Sequence, residues 1–155
     1  MKISVLYGTE TGNAEMLAED MMAELESDHD VDCKNLSDMQ PGAFDPDVFY
    51  LLVCSTYGDG ELPASAQPFS HAMLSEKPDL CAIHFAVFGL GDMEYAETFN
   101  HGPKKLAELM TAHGAIQVGE RAAHDASSSD LAEDFALPWA QQVVEQAAAQ
   151  LSQAA

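Results

Sequence analysis

The stretch from Val48 to Ser55 reads VFYLLVCS, apolar at every position before the closing serine. It is too short to stand as a helix of its own and lacks the alternation of a half-exposed strand. A strand covered on both faces remains, the habit of central strands in parallel sheets. Such a strand obliges the rest of the chain to supply neighbours on two edges and helices on two faces.

The flanking sequence meets that demand. Lys2 to Tyr7 (KISVLY) is a strand-like run ending at Gly8, and Asn13 to Ser27 follows with Met16, Leu17, Met21 and Leu25 at helical spacing. Val31 to Leu36 is more polar and predicts an edge strand, and Met39 to Pro46 holds the turn formers Pro41, Gly42 and Pro46. Ala64 to Ser75 predicts a helix with Pro68 in its first turn, where a missing N–H is tolerated. Cys81 to Gly89 (CAIHFAVFG) predicts a second buried strand. The next helix has Pro103 just inside its start and Gly114 at its stop, and Ala115 to Gly119 predicts a short last strand. From about Ser129, the positions Leu131, Phe135, Leu137, Trp139, Val143, Val144 and Leu151 mark a closing helix. A Ser or Asp cap, a redirection at Pro138 and a frayed Ala/Gln-rich end are expected of it.

Five strands alternating with helices require right-handed crossovers, and so an α/β three-layer sandwich with a five-stranded parallel sheet. The 155 residues are expected to form a single domain, 1–155, with a core of its own. Ligands of such sheets bind beyond the carboxyl ends of the strands, where strand order reverses. The loops after the first, third and fourth strands are therefore the ones to inspect.

The first loop, Thr9-Glu10-Thr11-Gly12-Asn13, joins a strand to a helix N-terminus and contains no lysine. It matches neither GxxxxGK nor GxGxxG, which disfavours nucleoside triphosphates and NAD. Backbone amides and threonine hydroxyls at the positive end of a helix can hold a phosphate without a basic side chain. A plainer alternative makes Thr11 a helix cap only. The second loop runs from Ser55 through Thr56, Tyr57, Gly58, Asp59, Gly60, Glu61 and Leu62 to Pro63, and the third from Gly89 through Leu90, Gly91, Asp92, Met93 and Glu94 to Tyr95. Each presents one tyrosine among glycines, an arrangement suited to a flat ring held between aromatic faces. No GxSxG, no hydrolase order of Ser, His and Asp, and no zinc-like spacing of His or Cys occurs, so neither a catalytic set nor a metal site is expected.

Charge narrows the partners. With 26 acidic residues against 6 basic ones the formal net charge is -20, which disfavours nucleic acid and anionic membrane and suits a basic docking surface, or adaptation to salt. No apolar run approaches the ~18 to 20 residues of a membrane span, and a strand that begins at Lys2 leaves no room for a secretion signal. Cytoplasmic location is the expectation. Cys33, Cys54 and Cys81 form an odd set without CxxC spacing, which predicts reduced, mostly buried thiols.

Taken together, TETGNAE, STYGDGELP and GLGDMEY resemble the phosphate loop and the two flavin loops of the flavodoxin family. The likeness is to its short-chain, MioC-like members and to the FMN domains of diflavin reductases, and it spans nearly the whole chain. It implies the flavodoxin-like strand order 2-1-3-4-5 with FMN at the junction of strands one and three, flavodoxin being itself the standard example of the switch-point rule. By position, Thr9, Glu10, Thr11, Gly12, Asn13 and Ala14 would wrap the phosphate, with Ser55 and Thr56 closing that site. Tyr57 and Tyr95 would flank the ring, and Gly58, Asp59, Gly60, Gly89, Leu90, Gly91 and Asp92 would meet its edge. Ala14 stands where many flavodoxins carry threonine, and Tyr95 to Asn100, which contains Phe99, is one residue longer than the diflavin pattern YxxFN.

The resemblance also implies a function: an electron carrier, and not an enzyme, that passes low-potential electrons one at a time. The expected form is a monomer working between a ferredoxin/flavodoxin-NADP reductase and flavin, haem or iron-sulfur enzymes. The Gly58 peptide would turn its carbonyl toward the flavin as the ring takes up an electron and a proton. Asp59, Glu61, Asp92, Glu94 and Glu97 would oppose the second electron. One charge at about 8 Å in an effective dielectric near 20 costs about 2 kcal/mol, on the order of 0.1 V. Two other readings compete: an FMN-dependent reductase of quinone-like acceptors, and a flavin-free receiver-like interaction module.

Overall fold

In the computed structural model the described residues are 2–9, 12–55, 62–91, 101–119, 122–125 and 132–154. Strand β3 (Val48–Ser55) lies between β1 (Lys2–Gly8) and β4 (His84–Gly91), paired in parallel with both. Beyond β1 lies β2 (Asp30–Asn35), and beyond β4 lie β5 (Ile116–Gln117) and β6 (Ala122–Asp125), every pairing parallel. The order is β2-β1-β3-β4-β5, with β6 also against β4. Four α-helices, α1 (Asn13–Leu25), α2 (Gln67–Glu76), α3 (His101–Ala112) and α4 (Ala132–Ala154), and 3-10 turns at Leu36–Asp38, Pro41–Ala43 and Ala64–Ala66 complete the described fold.

The two-residue period of a strand explains the unbroken apolar run in β3. Phe49, Leu51 and Val53 enter the layer formed by α1 and α4, beside Leu17, Met21, Ala140 and Val143. Tyr50, Leu52 and Cys54 enter the opposite layer, beside Phe69 and Met73 of α2 and Leu106 and Met110 of α3. Each large side chain so enclosed contributes roughly 1.5 to 3 kcal/mol relative to exposure. At the β2 edge, apolar demand falls on one face only. There the buried hydroxyl of Ser4 donates to Asp32 at 2.5 Å, across an aligned pair of the β1–β2 ladder.

Several expectations change. The predicted last strand over 115–119 pairs only at Ile116–Gln117, apart from the N–H of Val118 donating to Phe85 at 2.7 Å. Gly119 takes φ +67, which ends the extended run. The chain then returns to β4 as β6, whose sequence AAHD has little β-propensity to announce it. The buried strand expected over 81–89 starts later, at His84, and runs on to Gly91; Cys81 lies in an exposed turn. α4 passes through Pro138 without ending and reaches Ala154. Its expected cap lies outside the described residues. Met16 and Phe135, placed on apolar helical stripes, are 66% and 51% exposed. No helix among the described residues is long and apolar enough to cross a membrane.

The three thiols therefore differ. Burial raises Cys54 far above an ordinary thiol, and pushes Cys33 up to about 11 with help from Glu19 and Asp32. Exposed Cys81 is raised by its hydrogen bond with Asp79. Because the thiolate is the nucleophile, iodoacetamide on the folded protein should alkylate Cys81 first and Cys33 slowly, sparing Cys54 until the chain unfolds. Peptide mass spectrometry over a time course checks this, and Cys54 labelling as fast as Cys81 would contradict the packing.

Candidate functional site

The carboxyl ends of the three inner strands lie level. Gly8 is opposite Cys54, Cys54 is opposite Gly89, and Ser55 is opposite Leu90. Between β1 and β3 the strand order reverses, and the connections part: α1 packs on one face of the sheet, while α2 packs on the other. A crevice at this position is the expected ligand site of such sheets.

β1 stops where Gly8 meets the 3-10 turn at Ala64–Ala66. A Cβ on Gly8 would sit 3.0 Å from that of Ala66 and 3.2 Å from Leu36 Cδ1, so glycine lets the turn seat on the strand end without its neighbours giving way. Thr9 follows, with its Oγ1 accepting the Gly12 N–H at 2.7 Å. Gly12 adopts φ 98 and is the N-cap of α1. The cap position is held by Gly12, which supplies no side-chain bond; Thr11, the alternative cap, lies outside the described residues.

The first intrahelical bond runs from the Met16 N–H to the Gly12 carbonyl. The amides of Asn13, Ala14 and Glu15 are thus not used by the helix, and they stand at its positive end. Thr9 Oγ1 is the acceptor in its bond with Gly12, so that bond does not use the hydroxyl's own proton. Amides plus a hydroxyl at a helix N-terminus make a donor set that fits a phosphate dianion. Ala14 has only its amide to offer there, because its methyl group is fully buried in the core.

One flank of this helix is acidic. The half-buried Tyr7 donates to Glu15 Oε1 at 3.1 Å, and burial followed by that carboxylate pushes the phenol up to about 12. Glu15 is thus tied back toward β1.

On the other strands, Ser55 is half-buried at the end of β3, with Oγ 3.5 Å from the Gly8 carbonyl, too long for a strong bond. Gly89 and Leu90 lie inside β4, paired on both sides, and Gly91 closes the strand opposite Asp125. The described site thus brings together Thr9, Gly12, Asn13, Ala14, Ser55, Gly89, Leu90 and Gly91. Glu10, Thr11, Thr56, Tyr57, Gly58, Asp59, Gly60, Asp92, Tyr95, Phe99 and Asn100 lie outside the described residues. Sequence reasoning did not find Ser65, whose Oγ accepts the Thr9 N–H at 2.7 Å and whose own N–H donates to the Thr9 carbonyl at 3.3 Å. No local pattern marks it.

Comparison with known proteins agrees with this geometry. Residues 5–139 match the sequence profile of the Flavodoxin family. NADPH-dependent diflavin oxidoreductase 1 of Cryptococcus neoformans is 36% identical over 145 residues, covering 91% of this chain; this chain spans only 23% of that protein's length. Protein MioC of Escherichia coli K12 is 31% identical over 141 residues, covering 88% of this chain and 92% of MioC. Among solved structures, a cysteine-to-alanine mutant of the flavodoxin from Pseudomonas aeruginosa superposes with a TM-score of 0.81 at 29% identity, over 94% of this chain and 99% of that one.

Proposed function

The chain belongs to the flavodoxin family and is an FMN-binding electron-transfer protein, and from that premise we propose how its residues serve the task. FMN, when bound, supplies chemistry that accepts or releases electrons singly. The protein's part is to hold the phosphate, orient the ring and govern its surroundings.

The amides of Asn13, Ala14 and Glu15 and the Thr9 hydroxyl receive the phosphate, joined by Glu10, Thr11, Ser55 and Thr56. Tyr57 and Tyr95 would bracket the ring, and the backbone from Gly58 to Gly60 and from Gly89 to Asp92 would meet its edge, with Phe99 and Asn100 beyond the third loop completing the set. One observation carries this assignment: an uncapped helix N-terminus, entered through a positive-φ glycine, faces the strand-order reversal between β1 and β3. The chain acts as one domain and a monomer in the cytoplasm. It carries electrons between a reductase and acceptor enzymes without turning over a substrate of its own.

Its partners present basic surfaces, because a net charge of -20 accelerates encounter with positive charge and repels like charge. Two measurements test the reading. Titration of the apoprotein with FMN should quench flavin fluorescence at one equivalent. Reduction of the holoprotein by a ferredoxin-NADP reductase should slow about tenfold between low and high salt, as screening shortens the reach of charge. No quenching would remove the cofactor assignment. Steady NADPH oxidation by the protein alone would replace the carrier with an enzyme.

A further inference from the structure

We propose that Ser65 is a positioning residue for the phosphate-binding turn, linking capture of the phosphate to the segment that closes the second loop. The inference rests on the reading that the FMN phosphate sits at the N-terminus of α1. Ser65 is 56 residues from Thr9 in sequence, yet the two are joined twice, by the Thr9 N–H to Ser65 Oγ at 2.7 Å and the Ser65 N–H to the Thr9 carbonyl at 3.3 Å.

Thr9 follows the last residue of β1, so its amide has left the sheet ladder. Ser65 Oγ is the acceptor that replaces the ladder. From Thr9 the chain of bonds continues: Oγ1 accepts the Gly12 N–H at 2.7 Å, Gly12 holds φ 98, and α1 starts at Asn13. Each bond fixes the next backbone unit, so the direction of the free amides depends on where Thr9 is held. Ser65 itself is held by its neighbours. Ala66 is fully buried against Gly8, and Pro63 is buried beside it. The segment that follows the second loop is thus bonded, through Ser65, to Thr9, the first residue of the phosphate turn.

This arrangement predicts a defect confined to phosphate recognition. Ser65→Ala removes the acceptor and leaves the Thr9 amide unpaired, whereas Ser65→Thr keeps the oxygen. Affinities for FMN and for riboflavin, which lacks the phosphate, are measured on apoprotein of each variant, with hydrogen exchange at the Thr9 amide as a second readout. FMN affinity of Ser65→Ala should fall about tenfold while riboflavin affinity stays within about twofold; Ser65→Thr should restore FMN binding, and Thr9 exchange should accelerate only in the alanine variant. Equal losses for both ligands would reduce Ser65 to a general structural role and overturn the proposal, as would unchanged FMN binding. A wild-type protein that binds FMN no better than riboflavin would remove the phosphate site itself. Should the alanine variant fail to fold, Ser65→Thr still decides: slow Thr9 exchange with wild-type preference for FMN supports the proposal, and loss of that preference overturns it.

Discussion

Gly12→Val should weaken FMN binding by about 10- to 100-fold, equivalent to roughly 1.4 to 2.7 kcal/mol. The loss is not steric in the ordinary sense. A Cβ at this position meets nothing within 4 Å, yet φ is +98, a conformation that a β-branched residue adopts only at a cost. Valine escapes by rotating the backbone, and the Gly12 N–H then leaves Thr9 Oγ1 while the first amides of α1 swing off their common target. Gly12→Asn should lose less, because asparagine tolerates positive φ better than other residues with a Cβ. Fluorescence titration of the three apoproteins gives the ranking glycine, asparagine, valine. Valine binding as tightly as glycine would mean that the turn does not hold the phosphate.

Phe88→Ala carries the largest expected effect on stability, about 3 to 5 kcal/mol. Phe88 is 1% exposed in β4 and packs against Trp139 of α4, with ring centroids 5.4 Å apart at 57°. Truncation leaves a cavity between the sheet and the helix that closes the fold, and neighbours anchored in a parallel ladder cannot collapse into it. The thermal midpoint should drop by roughly 10 °C in a chain of this length. Trp139 is the only tryptophan, so its fluorescence reports the repacking directly. Met16→Ala is the control: its side chain is 66% exposed, and the midpoint should move by less than about 2 °C. A Phe88→Ala midpoint within that same margin would mean that α4 is not packed on β4 as described.

The candidate site divides by what it is made of. The lysine-free turn at Thr9 to Asn13 was legible because glycine and hydroxyl residues between a strand and a helix have few other uses. The brace from Ser65 was not legible: a serine after Pro63-Ala64 reads as an ordinary turn residue, and its meaning lies in the oxygen that reaches Thr9. The same limit applied to Ala14, where the sequence shows a missing hydroxyl and the fold shows a methyl group spent on the core.

What the chain's own order of residues determined was the alternation of strands and helices, the central place of β3, and the loop that ends β1. These follow from local causes: the period of apolar residues, the runs buried on two faces, and the glycines and prolines that stop them. Tertiary structure alone decided that Met16 and Phe135 face outward, that Cys81 is exposed, that the last strand is divided into β5 and β6, and that Ser65 grips Thr9. The physical reason is common to all four. Exposure and pairing depend on which neighbour the topology brings alongside, and a residue carries no local mark of a partner tens of positions away.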